Sequence, residues 1–153
     1  MQALEVPDNV LRAWHLERAA IAPLGSGLIN RTWLVTAAPH RYVLQQLNPM
    51  FPGAINEDIR VVTGHLRARG LVAPEILATA GGRLWLDDPG GAYRLMTHID
   101  GISLERLAAP GQAREAGHLL ARFHRALADL DHEFRNQRLG VHDTGRHLRV
   151  LRD

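Results

Sequence analysis

The chain has 153 residues, 18 basic and 16 acidic side chains, a formal charge of +2 and no cysteine. Apolar residues make up 46% and charged ones 22%, a globular composition that excludes a disulfide scaffold, a thiolate zinc site and a cysteine nucleophile. Every basic residue is arginine, so a Walker A loop, a Schiff-base lysine and a lysine general base are excluded too. The arginines are scattered and carry no aromatic interleaving, so no nucleic-acid partner is expected. The first residues lack a basic segment followed by an apolar run, and no apolar stretch approaches a membrane span, so the expected compartment is the cytoplasm, with no membrane partner.

Residues 8–16 read as a short helix, with Asp8 as its cap and Val10, Leu11 and Trp14 on one face. Residues 18–24 read as a strand that runs into Gly25, Ser26 and Gly27. Residues 32–36 and 42–47 read as strands around a turn at 37–40, which makes an antiparallel hairpin. Glycine permits positive φ and close approach of backbone to a ligand, so paired glycines can cradle phosphate with N–H groups. Taken alone, Gly25 and Gly27 fit an ordinary hairpin turn better. Their setting decides between the readings. A Rossmann glycine loop opens a helix, whereas Thr32, Trp33 and Val35 here favour a strand. Strand, glycine loop, strand is the phosphate-covering arrangement of kinase-like folds.

A loop at 48–53 leads to a helix starting at Ala54, with Ile55, Ile59, Val62 and Leu66 at helical spacing and Gly70 as its stop. Residues 75–79, 83–87 and 93–99 read as strands, separated by turns at Gly81-Gly82 and at 88–91. The expected fold is therefore α+β: about five antiparallel strands with one helix inserted after the third. Asp100-Gly101 ends the strands and marks the boundary between a domain over 1–100 and a helical part over 101–153. Ser103 is expected to cap a short helical turn through Leu107. Residues 112–130 form the strongest helix, with Ala116, Leu119, Leu120, Phe123, Leu127 and Leu130 on its apolar face and Arg114, Arg122, Arg125 and Asp129 opposite. That apolar face offers a surface for self-association. Residues 142–145 read as a turn or cap, and 146–153 as the start of another helix.

The wording of these segments goes further than their order. Residues 24–35, the run Tyr42-Val43-Leu44-Gln45-Gln46-Leu47-Asn48, the run Ile55-Asn56-Glu57-Asp58-Ile59 and the segment His98-Ile99-Asp100-Gly101 resemble the aminoglycoside phosphotransferase–choline kinase superfamily. Within it, the chain is most similar to N-acetylhexosamine 1-kinase-like sugar kinases. Phe123-His124 and His142-Asp143-Thr144 add to the likeness, which runs from Leu24 to about Leu148. The resemblance implies a protein-kinase-like amino-terminal lobe followed by the first helices of the second lobe.

It also implies roles. Gly25, Ser26, Gly27 and Asn30 would lie over the ATP phosphates, Val43 would pack on adenine, and Thr97, His98 and Ile99 would offer backbone groups to the adenine edge. Gln45 stands where kinases place the lysine that holds the α- and β-phosphates, and glutamine brings no charge. Arg31, Arg41 or a residue outside this stretch would then supply it. Glu57 would be the helix glutamate that faces that position. No residue is assigned a catalytic or metal-ligating role. The Asp that positions the acceptor hydroxyl and the Asn and Asp that hold Mg²⁺ are expected in a helical lobe outside these residues. His98-x-Asp100 mimics the catalytic loop, but Glu105 stands where its Asn belongs.

Plainer readings stand beside these: Glu57 as a solvated helix residue, Gln45 as a strand residue facing water, Trp14, Trp33 and Trp85 as packing residues. The nine histidines include no pair at i, i+4. Three functions compete. The first is ATP-dependent phosphoryl transfer to a hydroxyl of a small-molecule acceptor, a sugar or an amino alcohol. The second is a nucleotide-binding module without activity. The third is a truncated product with no independent role.

Overall fold

The computed structural model describes residues 5–25, 29–104, 106–137, 140 and 143–152. It contains one mixed unit: helix α1 (Asp8–Arg12), strands β1 (Ala20–Pro23), β2 (Arg31–Ala37) and β3 (His40–Gln46), helix α2 (Ile55–Ala68), strands β4 (Ile76–Leu77), β5 (Leu86–Asp88) and β6 (Gly91–Thr97), then helices α3 (Pro110–Leu127) and α4 (Thr144–Arg152). The sheet is antiparallel, in the order β1-β2-β3-β6-β4. It has six strands where about five were expected. β5, read from the sequence over 83–87, pairs with β6 through Leu86–Tyr93, Asp87–Ala92 and Asp88–Gly91. Tyr93 also pairs with Gln46 of β3, so β5 lies on the edge of β6 that β4 uses further along. Two short strands share one edge, and each is shorter than its apolar pattern suggested.

The core sits on one face of the sheet. Trp33 and Val35 of β2, Leu44 of β3, and Tyr93 and Leu95 of β6 alternate inward and meet Val10, Leu11, Trp14 and Leu16. Period-2 alternation along β2 puts Trp33 and Val35 on that face and Thr32 and Leu34 on the other. Trp33 and Tyr93 stack at 6.4 Å between ring centroids. The tryptophans behave as packing residues. Trp14 and Trp33 are core, while the Trp85 ring occupies the space that a Cβ at Gly53 would take.

α1 is shorter than expected, and its cap is not Asp8. Pro7 is the N-cap, and Asp8 is the first helical residue, where its charge complements the positive end of the helix dipole. The helix closes with Leu16 N–H on the Leu11 carbonyl at 3.0 Å and His15 N–H on the Arg12 carbonyl at 3.1 Å. His15 takes φ 56°, the left-handed turn such an ending requires.

On the opposite face α2 packs against β4 and α3. Its start leans on Asn56, which is fully buried and donates to the Gly53 carbonyl at 2.8 Å. α3 begins at Pro110, and Gln112 reaches back to accept from the N–H groups of Ala108 (2.6 Å) and Ala109 (3.2 Å). The helical turn expected between 103 and 107 is not formed by the described residues of that stretch. Asp143 caps α4, its carboxylate accepting from Arg146 N–H at 2.8 Å.

α3 touches the first unit near its end. His65 Nε2 lies 2.9 Å from the Ala126 carbonyl, and Arg69 donates to Asp129 at 2.6 Å. Along the rest of α3, Leu119 and Leu120 are more than half exposed, and Ala126 is the residue of the helix that is buried. No helix among the described residues is long and apolar enough to cross a membrane.

Candidate nucleotide-binding face

The register of β2, β3 and β6 builds two side-chain rows on the face opposite the core. Leu34 pairs with Val43, and Val43 with Met96, which is itself opposite Ile76 of β4. This row is apolar. The next row, nearer the glycine loop, is polar: Thr32 pairs with Gln45, and Gln45 with Arg94. Its side chains form a continuous hydrogen-bonded string. Gln45 donates to the Thr32 hydroxyl at 3.1 Å. The Gln45 carbonyl oxygen accepts from Arg94 Nε at 3.0 Å and Nη2 at 2.7 Å. Arg94 Nη1 donates to the Asn56 carbonyl oxygen at 3.1 Å. Leu34, Val43, Thr32, Gln45 and Arg94 are all half-buried. Burial lowers the pKa of Arg94 by penalising its charge, and arginine nevertheless keeps its proton.

Gln45 is therefore not a strand residue facing water. It holds a guanidinium. The arginines expected to supply charge there are placed elsewhere. Arg31 lies on the core face of β2 and donates to Gln46 at 3.3 Å. Arg41 pairs with Asp100. Glu57 does not face Gln45 either; it lies on the exposed side of α2, 4.0 Å from Arg135. The helix phase explains the difference. Asn56 repeats with Ile59 and Leu66 on the inner side of α2, and Glu57 falls on the exposed side.

Gly25, two residues after β1, takes φ +71°, a conformation that strains any residue with a Cβ, although no atom within 4 Å would meet one. Ser26 and Gly27 lie outside the described residues, as do His142 and Glu105. The far end of the loop is pinned by Asn30, whose side-chain carbonyl accepts from Asn48 N–H at 3.0 Å. Asn30 thus ties the loop to the exit of β3.

At the other end of the cleft, Thr97 N–H is taken by the Glu75 carbonyl at 2.9 Å, and the Thr97 hydroxyl accepts from Glu75 N–H at 2.9 Å. His98 N–H goes to the Arg41 carbonyl at 3.3 Å. The first two N–H groups of the expected hinge are committed within the sheet, and Ile99, 45% exposed, is the first residue beyond it. Asp100 is held by Arg41 and by His98 Nδ1 at 3.0 Å.

A concavity of about 610 Å³ lies elsewhere, between α2 and the segment after α3. It mixes Glu57, Asp58 and Glu133 with Arg60 and Arg135, and so presents no single sign to a ligand. No group of three His, Asp or Glu side chains among the described residues is placed to hold a metal ion.

A model of the phosphotransferase enzyme family matches residues 20–149. Solved structures share the fold at low sequence identity. A microcompartment-associated aminopropanol kinase superposes with a TM-score of 0.65 at 17% identity, over 86% of this chain and 42% of its own. The amicoumacin kinase hAmiN, in complex with AMP-PNP, Ca²⁺ and Ami, gives 0.63 at 17% identity, over 82% and 40%. An aminoglycoside phosphotransferase from Alicyclobacillus acidocaldarius gives 0.61 at 17% identity, over 82% and 36%. The chain spans well under half the length of these structures. The kinase-like amino-terminal lobe expected from the sequence is the fold observed.

Proposed function

Because the chain belongs to the phosphotransferase enzyme family, we propose that these 153 residues form the ATP-holding lobe and the first helices of the second lobe of a small-molecule kinase. The reaction is transfer of the γ-phosphoryl group of ATP to a hydroxyl of a sugar or an amino alcohol. The observation that carries this reading is the pair of rows on one sheet face: apolar Leu34, Val43 and Met96 beside polar Thr32, Gln45 and Arg94. A flat aromatic base fits the first row, and a polyphosphate fits the cationic second row beneath the glycine loop. The hinge at 97–99 borders the adenine end. An aminopropanol kinase among the similar folds is in keeping with an amino-alcohol acceptor. ATP brings the transferable phosphoryl group with Mg²⁺, whose ligands belong to the helical lobe outside these residues. The division falls near residue 100, and the exposed apolar side of α3 is where that lobe, or a second copy of the isolated chain, would pack. An ATP-dependent reaction on a small metabolite fits the cytoplasm.

ATP with Mg²⁺ is expected to bind the purified chain, and a Gly25→Val, Gly27→Val double variant is expected to lose at least about tenfold in affinity. Calorimetric titration of both decides it. Equal binding by the two, or none by either, removes the glycine loop from the site. The 153-residue chain by itself is expected to leave N-acetylglucosamine and choline unphosphorylated. A coupled assay that detects turnover above background would place the catalytic groups inside this chain.

A further inference from the structure

Arg94 is the least compensated charge on the cleft face. Its guanidinium has five N–H groups. Three are engaged, two by the Gln45 carbonyl oxygen and one by that of Asn56. Two remain, one on each Nη nitrogen. Both partners are neutral amides, and Arg94 forms no ion pair with a carboxylate among the described residues. A half-buried cation held by neutral acceptors is costly unless an anion joins it. Desolvation alone shifts its pKa, and it does so downward, which is the signature of a charge without a counter-charge.

The placement fits an anion arriving from the cleft. Arg94 closes the polar row that starts at Thr32, the second residue after the glycine loop meets β2. Neighbouring strands lie about 4.8 Å apart, so Arg94 sits about 10 Å across the sheet from Thr32. Gln45 and Asn56 approach from β3 and α2 and fix the guanidinium, with Asn56 itself anchored on the Gly53 carbonyl. A pre-oriented fork loses little freedom when it binds phosphate oxygens.

We infer that Arg94 is the group that takes the phosphate oxygens of the nucleotide, and that Gln45 and Asn56 are its positioning residues. The charge missing at position 45 is supplied from the neighbouring strand. This rests on the reading that the chain binds ATP, and its test separates the two.

Calorimetry compares ATP with adenosine for the unaltered chain, Arg94→Gln and Arg94→Lys. Arg94→Gln is expected to lose about 10- to 100-fold in ATP affinity and to keep adenosine within about twofold. Arg94→Lys, which retains the charge, is expected to keep most of the preference for ATP. An independent readout avoids reliance on the glutamine variant's folding. The Arg94 Nε–H resonance of the unaltered chain, assigned by its loss in Arg94→Lys, is expected to move with ATP and with tripolyphosphate, and to stay put with adenosine. Undiminished ATP affinity in Arg94→Gln, equal losses for ATP and adenosine in a folded variant, or a resonance indifferent to tripolyphosphate overturns the role of Arg94 and leaves nucleotide binding standing. No ATP binding by the unaltered chain overturns both.

Discussion

Replacing Trp14 with alanine is expected to destabilise the fold by about 3–5 kcal/mol, the usual cost of deleting a buried indole. Trp14 is 9% exposed within the main core, against Trp33, Leu44 and Leu95 on the sheet. It has a second role. Its Nε1–H donates to the Leu77 carbonyl at 2.9 Å. Two further bonds join the α1 segment to the same region: Ala80 N–H to the Ala13 carbonyl at 2.8 Å, and the Asn9 amide to Asp88 at 2.8 Å. The α1 segment is thus tied to β4, to β5 and, at Ala80, to the stretch between them. Trp14→Phe separates the two roles. It keeps most of the apolar contact but leaves the Leu77 carbonyl without its donor, for an expected loss of about 1–3 kcal/mol. Urea denaturation of the two variants gives both numbers. A loss below about 1 kcal/mol in Trp14→Ala would mean that α1 is not docked in solution.

The parts of the fold that were legible in the sequence are those set by local pattern. Alternation along 31–37 and 40–46 marks the hairpin, and helical spacing marks α2 and α3. Gly25 could be read as a turn residue because its φ is one that L side chains avoid. The candidate site was less legible because its defining contacts are non-local. Gln45 meets Arg94 only through the register of β3 against β6, strands 49 residues apart at that point, and no local periodicity encodes it. On α2 a glutamate suits an ion pair, but the inward phase belongs to Asn56, one position before the expected Glu57. One signal was available. The resemblance sets Gln45 where kinases place a lysine, the chain has no lysine, and Arg94 is the basic residue of β6, the strand beside it. The strands at β4 and β5 came out short for a similar reason. They compete for one edge of β6, which no single-segment reading takes into account.

Acid is expected to weaken the junction between α2 and the segment after α3, and Asp58 is the residue through which it acts. Its carboxylate is buried and accepts four hydrogen bonds. Oδ1 takes His132 Nε2 at 2.8 Å and Arg135 N–H at 3.4 Å, and Oδ2 takes Asn136 N–H at 3.1 Å and the Asn136 amide at 2.9 Å. The Asn136 side chain, then that of His132, lower the Asp58 pKa from 3.8 to about 2, outweighing the opposing effect of burial. A depressed folded-state pKa means that the unfolded chain binds the proton more tightly. The stabilisation from Asp58 is thus complete above about pH 4, declines as pH falls toward about 2, and is gone below that. Asp88 and Asp129 are lowered as well, by Asn9 and Arg69 respectively, so they add to the same acid limb. Asp58→Asn keeps the shape but cannot titrate. At pH 7 it is expected to lower Tm by several degrees and to speed hydrogen exchange at the Arg135 and Asn136 amides, whose acceptor it weakens. Between pH 4 and 2 its stability should fall less steeply than that of the unaltered chain, so that the two curves converge in acid. Parallel curves over that interval would show that the 132–136 segment is not held by the Asp58 carboxylate, and that α3 keeps its place on the first lobe through His65 and Arg69 alone.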